Sequence, residues 1–171
     1  MGLTKIKSSV QNFFSGVFRE MHKAICVFNS GSVRGVVRFS QLQGSKITKV
    51  EGEIRGLTDG LHGLHIHEWG DLSSGCESAG AHFNPFGSEH GGLHSTVRHV
   101  GDLGNITSTG GTSRFEIFPV NLDLHGPYSI VGRSLIVHAD PDDLGQGGSP
   151  LSKTTGNSGA RVACGVIGLA K

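Results

Sequence analysis

Leu64-His65-Ile66-His67-Glu68-Trp69-Gly70-Asp71 is the stretch on which the reading of this chain turns. Two histidines at i and i+2 within an apolar run fall on one face of a β-strand, because side chains alternate across a strand. From that face both imidazoles reach a single metal ion. A lone His-x-His pair is an ordinary strand feature. Here it is followed by His82, His90, His99, Asp102 and, much later, His138, five further chelating groups. The series points to a metalloprotein.

Outward from this pair, the period of the apolar residues is two. Residues 23–29, 33–41, 46–55 and 61–67 read as strands bounded by Gly, Ser or Asn. Residues 114–120 read the same way, with Phe115, Ile117 and Pro119 set against Arg114, Glu116 and Phe118. Residues 129–138 and 162–170 complete the series. Residues 69–98 and 139–160 have little periodicity, and a ligand-filled loop of that length in a compact domain is functional. Seven or eight antiparallel strands with two long loops predict an all-β domain, a sandwich or a flattened barrel.

Composition agrees. A length of 171 residues suits one domain with a real core. Only 17% of residues are charged and the net charge is +1, without the basic stripe of a nucleic-acid binder. Glycine, 28 of 171, has no collagen period and fits turns and loops. Ten histidines beside one Trp and one Tyr favour metal chemistry over an aromatic-lined pocket. No run of about 20 apolar residues is present to cross a bilayer. Of three cysteines, Cys26 lies in an alternating apolar run and reads as a buried hydrophobe. Cys76 and Cys164 are the better pair, and a bridge between them would stabilise by about 4–5 kcal/mol in the chain-entropy model.

Residues 1–22 differ from the rest. Ile6, Val10, Phe13, Phe14, Val17, Phe18 and Met21 recur at three- and four-residue steps, one face of an amphipathic helix. Lys5, Lys7 and Arg19 are basic, and no acid precedes Glu20. The segment lacks the apolar core of a secretory signal, and Ile6 breaks the myristoylation pattern. Three readings stand: an extension helix packed on its own domain or a subunit partner, an organelle transit peptide, or a membrane-surface helix. The division expected is an extension over 1–22 and one domain over 23–171.

His82, His90, His99 and Asp102 are separated by eight, nine and three residues in loop-like sequence. Three imidazoles and a carboxylate complete a tetrahedral zinc site with no open position. His65, His67 and His138 remain on strands, and an imidazole-rich site suits copper. Two adjacent sites need only one shared ligand, and His82 is well placed for it, although spacing alone does not identify the bridge.

The segments 63–71, 75–85 (Gly-Cys-Glu-Ser-Ala-Gly-Ala-His-Phe-Asn-Pro), 98–105 (Arg-His-Val-Gly-Asp-Leu-Gly-Asn) and 159–168 (Gly-Ala-Arg-Val-Ala-Cys-Gly-Val-Ile-Gly) resemble the signatures of copper/zinc superoxide dismutases. The resemblance covers about residues 22–171, with the motifs in order. It implies an eight-stranded antiparallel Greek-key barrel, immunoglobulin-like in layering. It implies copper on His65, His67, His82 and His138, and zinc on His82, His90, His99 and Asp102, with His82 bridging. Asp142 matches an aspartate that hydrogen-bonds a copper and a zinc histidine, here His65 and His90. Cys76 and Cys164 match the family disulfide, and Arg161 the arginine beside the open copper position.

The reaction implied converts two superoxide anions and two protons to oxygen and hydrogen peroxide by Cu(II)/Cu(I) cycling, with His82 carrying a proton. The alternative is a non-catalytic copper carrier or chaperone-like domain, which four copper histidines, Arg161 and the lack of Cys-x-x-Cys disfavour. A cytoplasmic homodimer loaded by a copper chaperone is the family expectation, with membrane contact through the N-terminal helix as a further option. Trp69 stands at the family's dimer contact, Thr155 at the channel and His62 at a packing position near copper. One departure concerns Ser149-Pro150-Leu151-Ser152-Lys153-Thr154-Thr155, where a lysine is present but the family's acidic pair is not. That puts electrostatic steering in doubt. Asn105-Ile106-Thr107 reads as an unused glycosylation sequon, and His22, His94 and His125 as solvent-facing.

Overall fold

The computed structural model describes residues 20–171, and the amphipathic reading of residues 1–22 falls almost wholly outside them. Strands β1 (Met21–Ser30) and β2 (Val33–Leu42) form a hairpin in which Ala24, Cys26 and Phe28 point inward. β3 (Lys49–Arg55) pairs with β2, and β4 (Gly60–His67) carries the His-x-His pair. β5 (Ser73–Cys76) is short and leads into a single 3₁₀ turn, Glu77–Ala79. β6 (Asp102–Ser108), β7 (Thr112–Ile117), β8 (Ser134–His138) and β9 (Arg161–Leu169) follow, with one helical turn, α1 (Ser152–Thr155), in the second long loop.

Among the described residues eight strands form one antiparallel sheet in the order β6-β4-β8-β9-β1-β2-β3-β7. The sheet curls so that β7-β3-β2-β1 faces β9-β8-β4-β6, a nearly closed all-β barrel as the sequence led us to expect. Inward residues of both halves, among them Phe28, Phe39, Ile54, Leu64, Ile66, Leu135 and Ile167, fill one core. β1 and β9 meet closely, and a Cβ at Gly165 would lie 2.5 Å from the Val27 carbonyl oxygen and 2.6 Å from Cys26 Sγ.

Strand boundaries moved where alternation is weak. β3 begins at Lys49 and not 46, β7 covers Thr112–Ile117 and leaves Phe118 outside, and β8 begins at Ser134. The segment before β8 is held instead by Arg133, whose guanidinium donates to the carbonyls of Ser129 and Glu68 at 2.9 and 2.7 Å. β6 was absent from the sequence reading. It is buried on both faces, with Asp102, Leu103, Gly104 and Ile106 all enclosed, so it shows no alternation to detect.

Candidate metal centre

β4 is the base of the site. His65 and His67 share a face, as period two requires, and β8 lies alongside with His138 at its end. An isolated bridge between His67 and His82 ties the first long loop to the end of β4. One donor nitrogen from each of His65, His67, His82 and His138 lies within 4.8 Å of the other three, and all four residues are buried. His67 and His138 bring their Nε2 atoms to 3.4 Å.

A second cluster adjoins the first. His65, His82, His90 and Asp102 also offer mutually close donor atoms. His99 joins this cluster through Nδ1, 3.4 Å from His82 Nδ1. The Nδ1 atoms of His82, His90 and His99 lie 2.9, 3.0 and 3.1 Å from Asp102 Oδ1. Three imidazole nitrogens therefore crowd one carboxylate oxygen. Donors about 2.0–2.1 Å from a tetrahedral zinc would sit roughly 3.3–3.4 Å apart, close to this spacing.

The orphaned atoms are informative. His65 Nδ1, His82 Nε2 and His90 Nδ1 are buried and have no hydrogen-bond partner among the described residues. An unpaired buried polar nitrogen is costly. His90 Nδ1 is near Asp102 yet lacks hydrogen-bond alignment, as expected of a lone pair aimed at a common point between them. The donor set fits two metal ions, an all-imidazole group suited to copper and a His₃Asp group suited to zinc.

Outer contacts fix the rings. Asp142 accepts from His65 Nε2 and His90 Nε2, both at 2.8 Å, and so touches both clusters. Asn105 holds Asp142 in turn: its Nδ2 donates to the Asp142 carbonyl at 2.8 Å and its Oδ1 accepts from the Asp142 N–H at 2.7 Å. The sequence reading missed this role, having seen only a sequon. Gly156, with φ of 66°, makes room, since a Cβ there would strike the Asp142 carboxylate and His90 Nε2. His62, as expected, packs beneath the site, its two ring nitrogens 2.8 Å from the His138 carbonyl oxygen and 2.9 Å from that of Thr58.

Charge follows geometry. Burial pushes His65 down to about 3, His67 to about 2 and His138 to about 4, leaving neutral imidazoles ready to bind metal. Burial also lowers His82. In His90 burial is outweighed by the Asp102 and Asp142 carboxylates, which raise it to about 9. Asp102 and Asp142 resist burial and stay well below the usual carboxylate range through their histidine hydrogen bonds.

Arg161 donates to the carbonyls of Cys76 and Gly80, both at 2.7 Å. The Gly80 oxygen also accepts from His67 Nδ1 at 2.8 Å, which sets the guanidinium beside the first cluster. Cys76 and Cys164 are bonded (S–S 2.11 Å, Cα–Cα 5.5 Å), anchoring that loop to β9, and Cys26 is the buried free thiol. Lys153 does not stand free in the second loop; its Nζ lies 3.4 Å from Glu89. His94 and His125 are exposed. His22, expected in solvent, is half-buried with its ring 4.4 Å from that of His125.

The family profile described as Copper/zinc superoxide dismutase (SODC) matches residues 33–167, from the start of β2 to near the end of β9. Since that span takes in every residue of the two clusters, the disulfide and Arg161, this chain belongs to the copper/zinc superoxide dismutase family.

Proposed function

We propose that the centre converts two superoxide anions and two protons to oxygen and hydrogen peroxide. Two buried four-donor groups sharing His65 and His82 carry this reading. When bound, copper on His65, His67, His82 and His138 supplies a one-electron couple, and zinc on His82, His90, His99 and Asp102 supplies fixed charge and geometry without redox chemistry.

The chain's own residues do the rest. His82 spans the two groups, with Nδ1 toward Asp102 and Nε2 buried and unpartnered toward the first. Nε2 is therefore the atom on which a proton is held and passed to the reduced substrate. Arg161 attracts the anion and orients it beside His67, its own position fixed by the disulfide-anchored loop. Steering from the second loop is weak in this reading, because Glu89 offsets Lys153 and every other residue of 149–155 is uncharged.

The functional unit in this proposal is residues 23–171, with 1–22 an extension. It works as a homodimer through a patch formed by β1, β9 and the segment just after β4, where Val27, Val166, Leu169 and Trp69 are exposed. Loading by a copper chaperone and a cytoplasmic compartment belong to the same reading, and cell fractionation checks the latter.

The test is superoxide decay after pulse radiolysis, on protein loaded with both metals, at two salt concentrations. Fast catalytic decay is expected, and Arg161→Ala should slow it by about 10-fold or more, within the range attributed to electrostatic guidance. No catalysis with both metals bound would overturn the proposal and leave a non-catalytic copper carrier.

A further inference from the structure

Two histidines outside the metal centre lie together near the start of β1. His22 and His125 bring their ring centroids to 4.4 Å, with the planes tilted by 34°. His65 and His82, which share both four-donor groups, stand almost identically, at 4.1 Å and 33°. Neither His22 nor His125 is within two residues of any member of the two clusters.

His22 also carries the mark of a ligand without its ion. Its Nε2 is buried and has no hydrogen-bond partner among the described residues. The other imidazole nitrogens left so are those of His65, His82 and His90, all in the clusters. A ring held only for packing would turn such an atom toward a partner or toward water, because leaving it unpaired is costly.

The fold fixes the meeting of the two rings. His22 stands opposite Gln41 in the β1–β2 register, so their side chains share a face. Gln41 is wholly buried; its Nε2 donates to the Leu122 carbonyl at 3.2 Å and to Asp123 Oδ1 at 3.3 Å, and its Oε1 accepts from the Leu124 N–H at 3.0 Å. Thr48 Oγ1 donates to the same Leu122 carbonyl, and the Ile130 N–H donates to that of Asp123 at 2.9 Å. The segment carrying His125 is thus fastened to the hairpin carrying His22. His22 is half-buried and His125 exposed, which leaves an approach from solvent on the His125 side.

We propose that His22 and His125 form an accessory metal site that takes a divalent copper ion, with water in the remaining positions. His22 supplies Nε2, and His125 supplies a ring nitrogen after turning about its side-chain bonds, which its exposure allows. Imidazole is the commonest protein ligand for such ions. Among first-row divalent ions copper binds nitrogen sites most tightly, and it accepts a square-planar set of nitrogen and oxygen donors. No third histidine, cysteine or carboxylate joins the pair closely among the described residues. The site is therefore open, binds less tightly than a four-donor group and exchanges its ion with solvent. It does not depend on the reaction proposed above.

Equilibrium dialysis of the full chain, with both clusters already loaded, against copper(II) buffered by glycine tests this. One further copper per chain is expected. In NMR spectra of the same protein, that paramagnetic ion should broaden the ring signals of His22 and His125 together, ahead of those of the exposed His94. His22→Gln and His125→Gln should each weaken the extra binding by about 10-fold or more, since even losing an outer-shell partner costs a metal site that much. The broadening is read on the unaltered chain and so stands even if a variant fails to fold. No further copper bound, equal binding by the parent and both variants, or broadening that reaches His94 first would each overturn the proposal.

Discussion

Asp142 shows how much rests on one carboxylate. It is buried, takes hydrogen bonds from a histidine of each cluster and is itself held by Asn105. Asp142→Ala would leave His65 Nε2 and His90 Nε2 without acceptors and both rings free to turn. Metal affinity should fall by about 10- to 100-fold, read by competition with a chelator. The clustered histidines also set a pH profile for the metal-free protein. His65, His67 and His138 are depressed to about 3, 2 and 4, so the unfolded chain binds more protons than the native one below about pH 6.5. Stability should fall as pH drops from there toward 4. His90, raised to about 9, works on the other side: its contribution is complete below about 6.5 and is lost as pH rises through 9. Urea midpoints of the metal-free protein should thus peak near neutrality. A midpoint that stays flat between pH 4 and 9 would contradict this. Single residues were unevenly legible in the sequence. The clustered histidines and Asp102 announced themselves by type, whereas Asn105 acts through its side-chain amide on backbone 37 residues away, which no local pattern encodes.

At the scale of elements, the disulfide joins a loop to a strand. Its separation of 88 residues gives about 4–5 kcal/mol in the chain-entropy model. Cys164→Ser should lower stability by up to this amount in chemical denaturation. It should also slow turnover with the metals retained, because the loop carbonyls that hold Arg161 lose their anchor. The half-buried strands were read correctly from alternation, β1 and β2 above all, whose inward residues Ala24, Cys26, Phe28, Val37 and Phe39 are wholly enclosed. β6 is buried on both faces, and the short β5 lies in a glycine-rich loop, so periodicity had little to report there, whereas β8 falls inside the strand read over 129–138. The pairing order, with β6 beside β4 and β9 beside β1, depends on contacts far apart in sequence and came only with the structure.

For the whole molecule, the exposed patch of Val27, Trp69, Val166 and Leu169 is the surface whose disruption should matter most to assembly. Val166→Glu places a charge in its middle and, for the homodimer proposed above, should halve the mass seen by sedimentation velocity, while the metal-loaded barrel stays folded. A different consequence follows from the two ends of the sheet order. β6 and β7 are neighbours in sequence, but between them only Thr109 and Thr112 bridge, so among the described residues each leaves one flank of its backbone without a ladder. A bare strand flank is a template on which another chain can polymerise. β6 begins at Asp102, the carboxylate around which three histidines gather, so a metal ion held there would also clamp this flank in place. Chelation should therefore convert a catalyst into a seed for filaments, and metal supply would govern solubility as well as turnover.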